Sequence, residues 1–299
     1  RSVGITYLDA MMYRSARVRG VSFKRTMTLG HLTLYLHRSE VDSLRKQYSA
    51  EFGRPPTSLT EYQWGDFADR FMEEFLGVEE LTVVDASAYE GADVIHDMNQ
   101  PVPEIWSNKF DVIIDGGTLE HIFNVPVALS NIASMLALGG TVFISTPANN
   151  LMGHGFYQFS PELMFRVFSH ENGFNLTSIA LWEARFPSVE LTKNPHLYAV
   201  ADPQKVHQRV GLLSKRAAIM LVEAVKTDEV RMFATPPVQS DYATAWAPTN
   251  LSQPERSRIR RVAREVVQRL PSTVTRQILG RHGKRQFSLR NELFFKRIR

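Results

Sequence analysis

Two histidines fall in the stretch richest in chemistry, His121 in DGGTLEH and His154 in MGHGFYQF. An imidazole that titrates near neutrality can take a proton from a hydroxyl as that oxygen attacks an electrophile, so both are read as catalytic candidates. His154 stands between Gly153 and Gly155 and is followed by Phe156, Tyr157, Gln158 and Phe159. A titratable ring beside aromatic walls reads as an acceptor site, with Tyr157 and Gln158 as substrate contacts. The plainer alternative is a loop anchored on the core by its aromatic residues, with His154 exposed upon it. Carboxylates supply the second kind of chemistry. Asp85 follows LTVV, Asp97 follows ADVIH and Asp115 follows FDVII. An ionised carboxylate accepts both hydroxyl hydrogens of a ribose diol, and an acid near the next strand end can accept from an adenine amino group. Each aspartate could instead cap its own turn. Gly116 and Gly117 permit positive φ or close approach of a ligand to backbone. Asp115, Glu120 and His121 offer oxygen and nitrogen to a divalent ion, but no spacing here is diagnostic and no metal is assigned. Glu120 is also at home at a helix start, where the macrodipole favours a negative charge.

The elements that must position these residues are partly legible. Val112-Ile113-Ile114 is a β-branched run suited to a strand buried on both faces. Asn124 to Leu138 carries Val125, Leu129, Ile132 and Leu136 at helical spacing, with Pro126 near its start, and Gly139-Gly140 is expected to stop it. Thr141 to Ser145 reads as the next strand, ended by Pro147. Phe23 to Leu29, Leu81 to Val84 and Ala92 to Ile95 are earlier strands, and His31 to Leu36 could extend the first after a bend. Glu40 to Tyr48 and Asp66 to Leu76 read as helices. Ser160 to Asn172 does so too, with Ser160 as cap, Pro161 first and Gly173 as stop. Asn175 to Trp182, Leu197 to Ala201 and Ala218 to Val225 supply later strands. A helix or lid is expected within residues 1–22. Residues 231–299 are read as a linker and a basic helical C-terminal extension, its helix falling over Glu255 to Leu270.

The segments VVDASAYEGADVIHDMN, FDVIIDGGTLEHIFNVPVALSNIASMLALGG and TVFISTP resemble the class I S-adenosylmethionine-dependent methyltransferases over roughly residues 23 to 230. The middle segment is similar to that family's fourth-strand pattern, and LALGG to the turn before its fifth strand. The resemblance implies an α/β fold: a Rossmann-like, mostly parallel sheet with helices on both faces. It implies S-adenosylmethionine as cofactor, with Asp85 on the ribose, Asp97 and Met98 flanking the adenine, and Asp115 or Gly116 near the methionine. Gly30 takes the place of the first-strand glycine turn. The chain departs from the family there: a GxGxG-like loop is usual, whereas this sequence has Leu29-Gly30-His31-Leu32 and then an insertion over residues 31–80.

The chain has 299 residues, enough for one large domain with appendages, and no cysteine, which excludes disulfides and thiolate metal sites. No apolar run reaches the length of a membrane span. A first residue of Arg1 reads as a trimmed chain and leaves a targeting segment before it open. Net charge is +4, yet from Asn250 on there are 14 Lys and Arg against 3 acids, leaving 21 against 28 before it. The body is therefore not a basic nucleic-acid binder by composition. The tail helix, if not simply packed on the body, suits an anionic membrane surface or a phosphate-bearing partner. O-methylation of a small molecule or glycan hydroxyl in the cytoplasm is the leading expectation. It rests on the acidic body and on Thr146-Pro147-Ala148-Asn149 standing where an Asn/Asp-Pro-Pro-Tyr motif for N-methylation would fall. A non-catalytic binding protein of the same fold is one alternative. A nucleic-acid methyltransferase docking through its tail is the other.

Overall fold

The computed structural model describes residues 4–185, 188–246 and 283–299. Eleven strands form in chain order: β1 (Gly4–Thr6), β2 (Arg25–Leu29), β3 (Thr33–Tyr35), β4 (Glu80–Asp85), β5 (Val94–Ile95), β6 (Phe110–Asp115), β7 (Leu136–Asn149), β8 (Phe174–Glu183), β9 (Leu197–Val200), β10 (Ala218–Lys226) and β11 (Phe295–Arg297). The helices are α1 (Tyr7–Val18), α2 (Arg38–Phe52), α3 (Asp69–Phe71, continued by a π-turn over Met72–Leu76), α4 (Val125–Met135), α5 (Pro161–Val167), α6 (Pro203–Val206) and α7 (Ser240–Trp246). β1 and β3 pair in parallel as a separate two-stranded sheet. The other nine form one sheet in the order β11-β9-β8-β10-β7-β6-β2-β4-β5.

From β5 through β4, β2 and β6 to β7 every ladder is parallel. β10 then enters antiparallel between β7 and β8, and β9 is antiparallel to β8 and to β11. Seven strands thus run one way and two, β9 and β10, the other. This is the mostly parallel α/β sheet that the resemblance implied. The chain builds outward from β2 to β4 and β5, then returns to lay β6 on the opposite side of β2. That reversal of strand order opens a crevice beyond the carboxyl ends of β2 and β6, where ligands of such sheets bind.

Alternation along β6 and β7 separates two cores. Ile113, Val142 and Ile144 pack with Leu129 and Ile132 of α4 and with Met164 and Val167 of α5. Val112, Ile114 and Phe143 face the other way, onto α1, α2 and the helical segment 69–76. Helices therefore cover both faces, which explains why the strands read as continuous apolar runs. α1 starts on a reciprocal cap: the Thr6 backbone N–H and hydroxyl both donate to Asp9 Oδ2, at 2.8 and 2.6 Å. Its Tyr13 meets the ring of Phe143 edge-on at 5.1 Å, and Phe23 stacks on the same ring at 5.7 Å.

Several expectations are corrected. His31 to Leu36 does not extend β2: Gly30 takes φ +80° and the chain turns away to form β3 in the second sheet. α4 ends at Met135, not at Gly139-Gly140. Leu136 already pairs with Phe110, and the next pair is Val112 with Thr141, so LALGG is an irregular excursion inside β7. Gly140 is confined there, since a Cβ would come within 2.8 Å of the Ala137 carbonyl oxygen. Pro147 does not end β7 either. The strand runs on to Asn149, and Pro147 pairs with Ile219 beside a register shift, where a missing N–H is tolerated. The helix expected over Ser160 to Asn172 stops at Val167 and is followed by a 3₁₀ turn over His170–Asn172. β11 was not foreseen: within the expected extension, Phe295 to Arg297 joins the sheet edge against β9. The basic helix expected over Glu255 to Leu270 lies outside the described residues. Among the described residues no helix is long and apolar enough to cross a membrane.

Phe143 of β7 is fully buried against Tyr13 of α1 and Phe23, which leads into β2. Phe143→Ala is expected to cost about 3–5 kcal/mol of stability, read as a lower urea midpoint at unchanged slope.

Candidate active site

The turn after β6 is organised from beneath by Asp115. This carboxyl is completely buried, and its Oδ1 accepts from the backbone N–H groups of Gly117, Thr118 and Leu119 at 3.3, 2.7 and 3.4 Å. The Thr118 hydroxyl donates to the Leu29 carbonyl at 2.8 Å and so ties the turn to the end of β2. Burial pushes the Asp115 carboxyl up to about 8, and the neighbouring Glu120 charge adds to the rise. Its other oxygen, Oδ2, is buried without a hydrogen-bond partner. The sequence placed Asp115 or Gly116 beside a ligand. In the structure Gly116, partly buried, and Gly117, buried, form the turn itself, while the Asp115 carboxyl holds the turn's backbone.

Glu120 is the next fixed point. It is 1% exposed. Its Oε2 accepts from the Thr146 hydroxyl at 3.0 Å, and its Oε1 lies 3.4 Å from His154 Nε2. Its backbone carbonyl accepts from the N–H groups of Phe156 and Tyr157 at 2.8 and 3.1 Å. The GHGFYQF loop therefore folds back onto Glu120. Gly155 makes this possible, since a Cβ there would stand 2.7 Å from the Glu120 carbonyl oxygen. Clamping brings the His154 ring to 5.1 Å from the His121 ring, centroid to centroid. His154 stays about half exposed, and its hydrogen bond to the Glu120 carboxylate raises its pKa above the ordinary histidine value. Glu120, which the sequence offered as a helix-start carboxylate, is in fact the buried hub joining both histidines.

These residues edge a cavity of about 650 Å³ at the carboxyl ends of β6 and β7. Gly116, Gly117, Glu120, His121 and His154 lie on one side, and β1 with Trp182 and Ile219 on another. Arg185, Lys215 and Arg216 bring positive charge to it. The indole N–H of Trp182, a side chain 1% exposed, has no hydrogen-bond partner. Sequence reading missed Trp182 and the cationic residues, because nothing local distinguishes them from ordinary strand and loop positions. Tyr157 and Gln158 do not line the cavity. The Tyr157 hydroxyl donates to the Phe123 carbonyl at 2.8 Å and its ring stacks on Phe159, while Gln158 Oε1 accepts from the Leu151 N–H at 2.7 Å. Both brace the loop that carries His154.

The remaining site residues fall elsewhere along the sheet edge. Gly30 closes β2 and donates its N–H to the Val84 carbonyl at 2.7 Å. Asp85 ends β4 and its Oδ1 accepts from the Ser87 N–H at 2.9 Å, holding its own turn. Asp97 accepts from the backbone and side-chain nitrogens of Asn99 at 2.9 and 2.7 Å, bonds that lower its pKa. Met98 is 5% exposed and packs into the core. None of these four lines the cavity. His31 occupies the position where a glycine-rich loop would continue. Its Nδ1 lies 2.6 Å from the Glu90 carbonyl, its Nε2 2.9 Å from the Asp69 carboxylate, and its ring stacks on Phe67 at 3.7 Å. Burial opposes protonation of this ring, but its bonds to Glu90 and Asp69 outweigh that and raise its pKa. The inserted segment thus closes over the end of β2.

Neither a protein-family model nor a curated protein sequence matches the chain. Among solved structures it is similar to the 1,6-didemethyltoxoflavin-N1-methyltransferase of Burkholderia thailandensis, with bound 1,6-didemethyltoxoflavin and S-adenosylhomocysteine. That likeness is 15% identity and a TM-score of 0.36 over 73% of this chain and 79% of the other. A SAM-dependent methyltransferase from Thermotoga maritima gives 14% identity and a TM-score of 0.37 over 74% and 89% of the two chains. The trans-methyltransferase CalH complex with S-adenosylhomocysteine gives 11% and 0.37 over 73% and 55%.

The close approach at Gly155 yields a direct test. Gly155→Ala forces the loop off the Glu120 carbonyl and is expected to cost about 1–3 kcal/mol. Met152→Ala, at a position 95% exposed, is the neutral control in the same denaturation series.

Proposed function

We propose that the protein is an S-adenosylmethionine-dependent methyltransferase that methylates a hydroxyl of a small molecule or glycan. One observation carries the reading: the cavity opens where backbone-only Gly116 and Gly117 meet the Glu120, His121 and His154 cluster. A wall without side chains suits a cofactor that must lie close, and the cluster suits an acceptor that must lose a proton. Asp85 keeps its second oxygen for a ribose diol, and Asp97 stands at the following strand end. When bound, S-adenosylmethionine supplies a methyl group on a positively charged sulfur. His154, its Nε2–H donating to Glu120, would receive the acceptor's proton at its other ring nitrogen, Nδ1, and the Glu120 carboxylate would stabilise the imidazolium so formed. The unpartnered Trp182 N–H, with Arg216 and Lys215, would orient an acceptor rich in oxygen. β1 would cover the cavity from the amino-terminal side.

The interior commitment of Gly30 and His31 favours a second reading, a binding protein of the same fold with no turnover. Isothermal titration with S-adenosylmethionine and S-adenosylhomocysteine decides between them. If neither binds at millimolar concentration, the enzyme reading fails. Asp85→Ala is expected to weaken cofactor affinity about tenfold, the loss of one hydrogen-bonded charge, with the thermal transition unchanged.

His154→Ala is expected to lower kcat about 10²-fold or more while cofactor affinity stays the same. A base works only when deprotonated. Because Glu120 raises the His154 pKa above 6.5, kcat should climb with pH through an inflection above that value, and the inflection should vanish in the variant. A wild-type profile flat from pH 5 to 9 would remove His154 as the base.

A further inference from the structure

We propose that Glu120, His121 and His154 are the ligands of a divalent transition-metal ion at the rim of the cavity. One donor atom from each lies within 4.8 Å of the other two. The Glu120 Oε1 to His154 Nε2 distance of 3.4 Å is already that of two ligands on one ion. Two bonds of 2.0–2.1 Å at a tetrahedral angle place their donors about 3.4 Å apart. His121 and His154 are the exposed members, so their rings can close the remaining gap by side-chain rotation alone. Glu120 is the fixed member: Thr146 holds its other oxygen and the Phe156 and Tyr157 amides hold its carbonyl.

A second observation points the same way. Glu120 and Asp115 are both buried carboxyl groups, and among the described residues neither forms an ion pair with a lysine or arginine. Asp115 Oδ2 lacks any partner. Among the described residues the half-exposed His154 is the one partner of opposite sign that Glu120 has, and a metal ion held by Glu120 and a neutral His154 would supply the cation that a buried carboxylate needs. Two imidazoles and one carboxylate favour zinc, cobalt, nickel or iron over magnesium or calcium, which prefer oxygen shells. Three protein ligands leave a coordination position open toward the cavity.

The use of the ion rests on the methyltransferase reading; its binding does not. A hydroxyl-bearing acceptor would fill the open position and become more acidic there. Its O–H bond breaks with the proton passing to solvent. The oxygen's electron pair then forms the new C–O bond as the methyl's C–S bond breaks, leaving its pair on sulfur. His154 acts in this scheme through its lone pair on the ion, in place of accepting the proton itself.

The test uses tag-free, chelator-treated full-length protein titrated with Co²⁺ and Zn²⁺. One ion per chain is expected, with the Co²⁺ d–d absorption of nitrogen and oxygen ligation. His121→Ala and His154→Ala should each weaken binding at least 100-fold, and Thr146→Val, which frees the Glu120 side chain, about tenfold. His170→Ala, at an exposed histidine remote from the cluster, should leave the stoichiometry intact. Absence of binding below millimolar metal, or binding that survives both cluster variants, overturns the proposal. S-adenosylmethionine affinity measured on the same samples keeps the two readings apart. Cofactor binding without metal binding refutes this site alone, and metal binding without cofactor binding refutes the methyltransferase reading alone.

Discussion

The site depends on one buried carboxylate. Glu120 joins three pieces of chain that are not neighbours in sequence: the turn after β6, the carboxyl half of β7 through Thr146, and the loop carrying His154. Removing a carboxylate of this size from water is unfavourable unless its oxygens are occupied. Each of its contacts is therefore also a constraint on where the loop can go. The backbone enforces the same geometry at Gly155, where there is room for nothing larger. Asp115 has the matching role a turn earlier, satisfying three amides that would otherwise point into the core.

This arrangement divides the sheet edge into two unequal halves. On the β6–β7 side the chain builds an open cavity with exposed imidazoles. On the β2–β4 side it builds a closed surface, where His31 is sandwiched between Phe67, Asp69 and Glu90. The inserted segment, residues 31–80, spends much of its own sequence making that closure. A chain with a short glycine loop at this point would present bare amides to a ligand. Here Gly30 already donates its N–H to Val84, so recognition at this end must come from side chains such as Asp85.

Much of the sheet was legible because its strands are apolar on both faces. Expected runs at Leu81 to Val84, Asn175 to Trp182 and Ala218 to Val225 match β4, β8 and β10 to within a residue at either end. Elements defined by distant pairing were not legible. LALGG carries the residues of a helix stop, yet Phe110 draws Leu136 into a strand. β3 and β11 are three residues each and exist only because β1 and β9 lie beside them. The same division holds at the site. His121 and His154 could be named by type, but their meeting 33 residues apart in sequence depends on the Glu120 clamp. Tyr157 and Gln158, chosen because they follow His154, turn toward Phe123 and Leu151 instead. Adjacency in a loop says little about which way successive side chains face.

The small sheet of β1 and β3 sets a kinetic property of the cavity. Its two strands have three residues each and stand apart from the nine-stranded sheet, yet Gly4, Thr6 and Tyr35 belong to the cavity wall. So short a ladder opens at a far smaller free-energy cost than the central strands. Amide protons of residues 4–6 should accordingly exchange with solvent long before those of β6 and β7. The rate at which a molecule enters or leaves would then follow the breathing of this flap rather than the unfolding of the domain behind it.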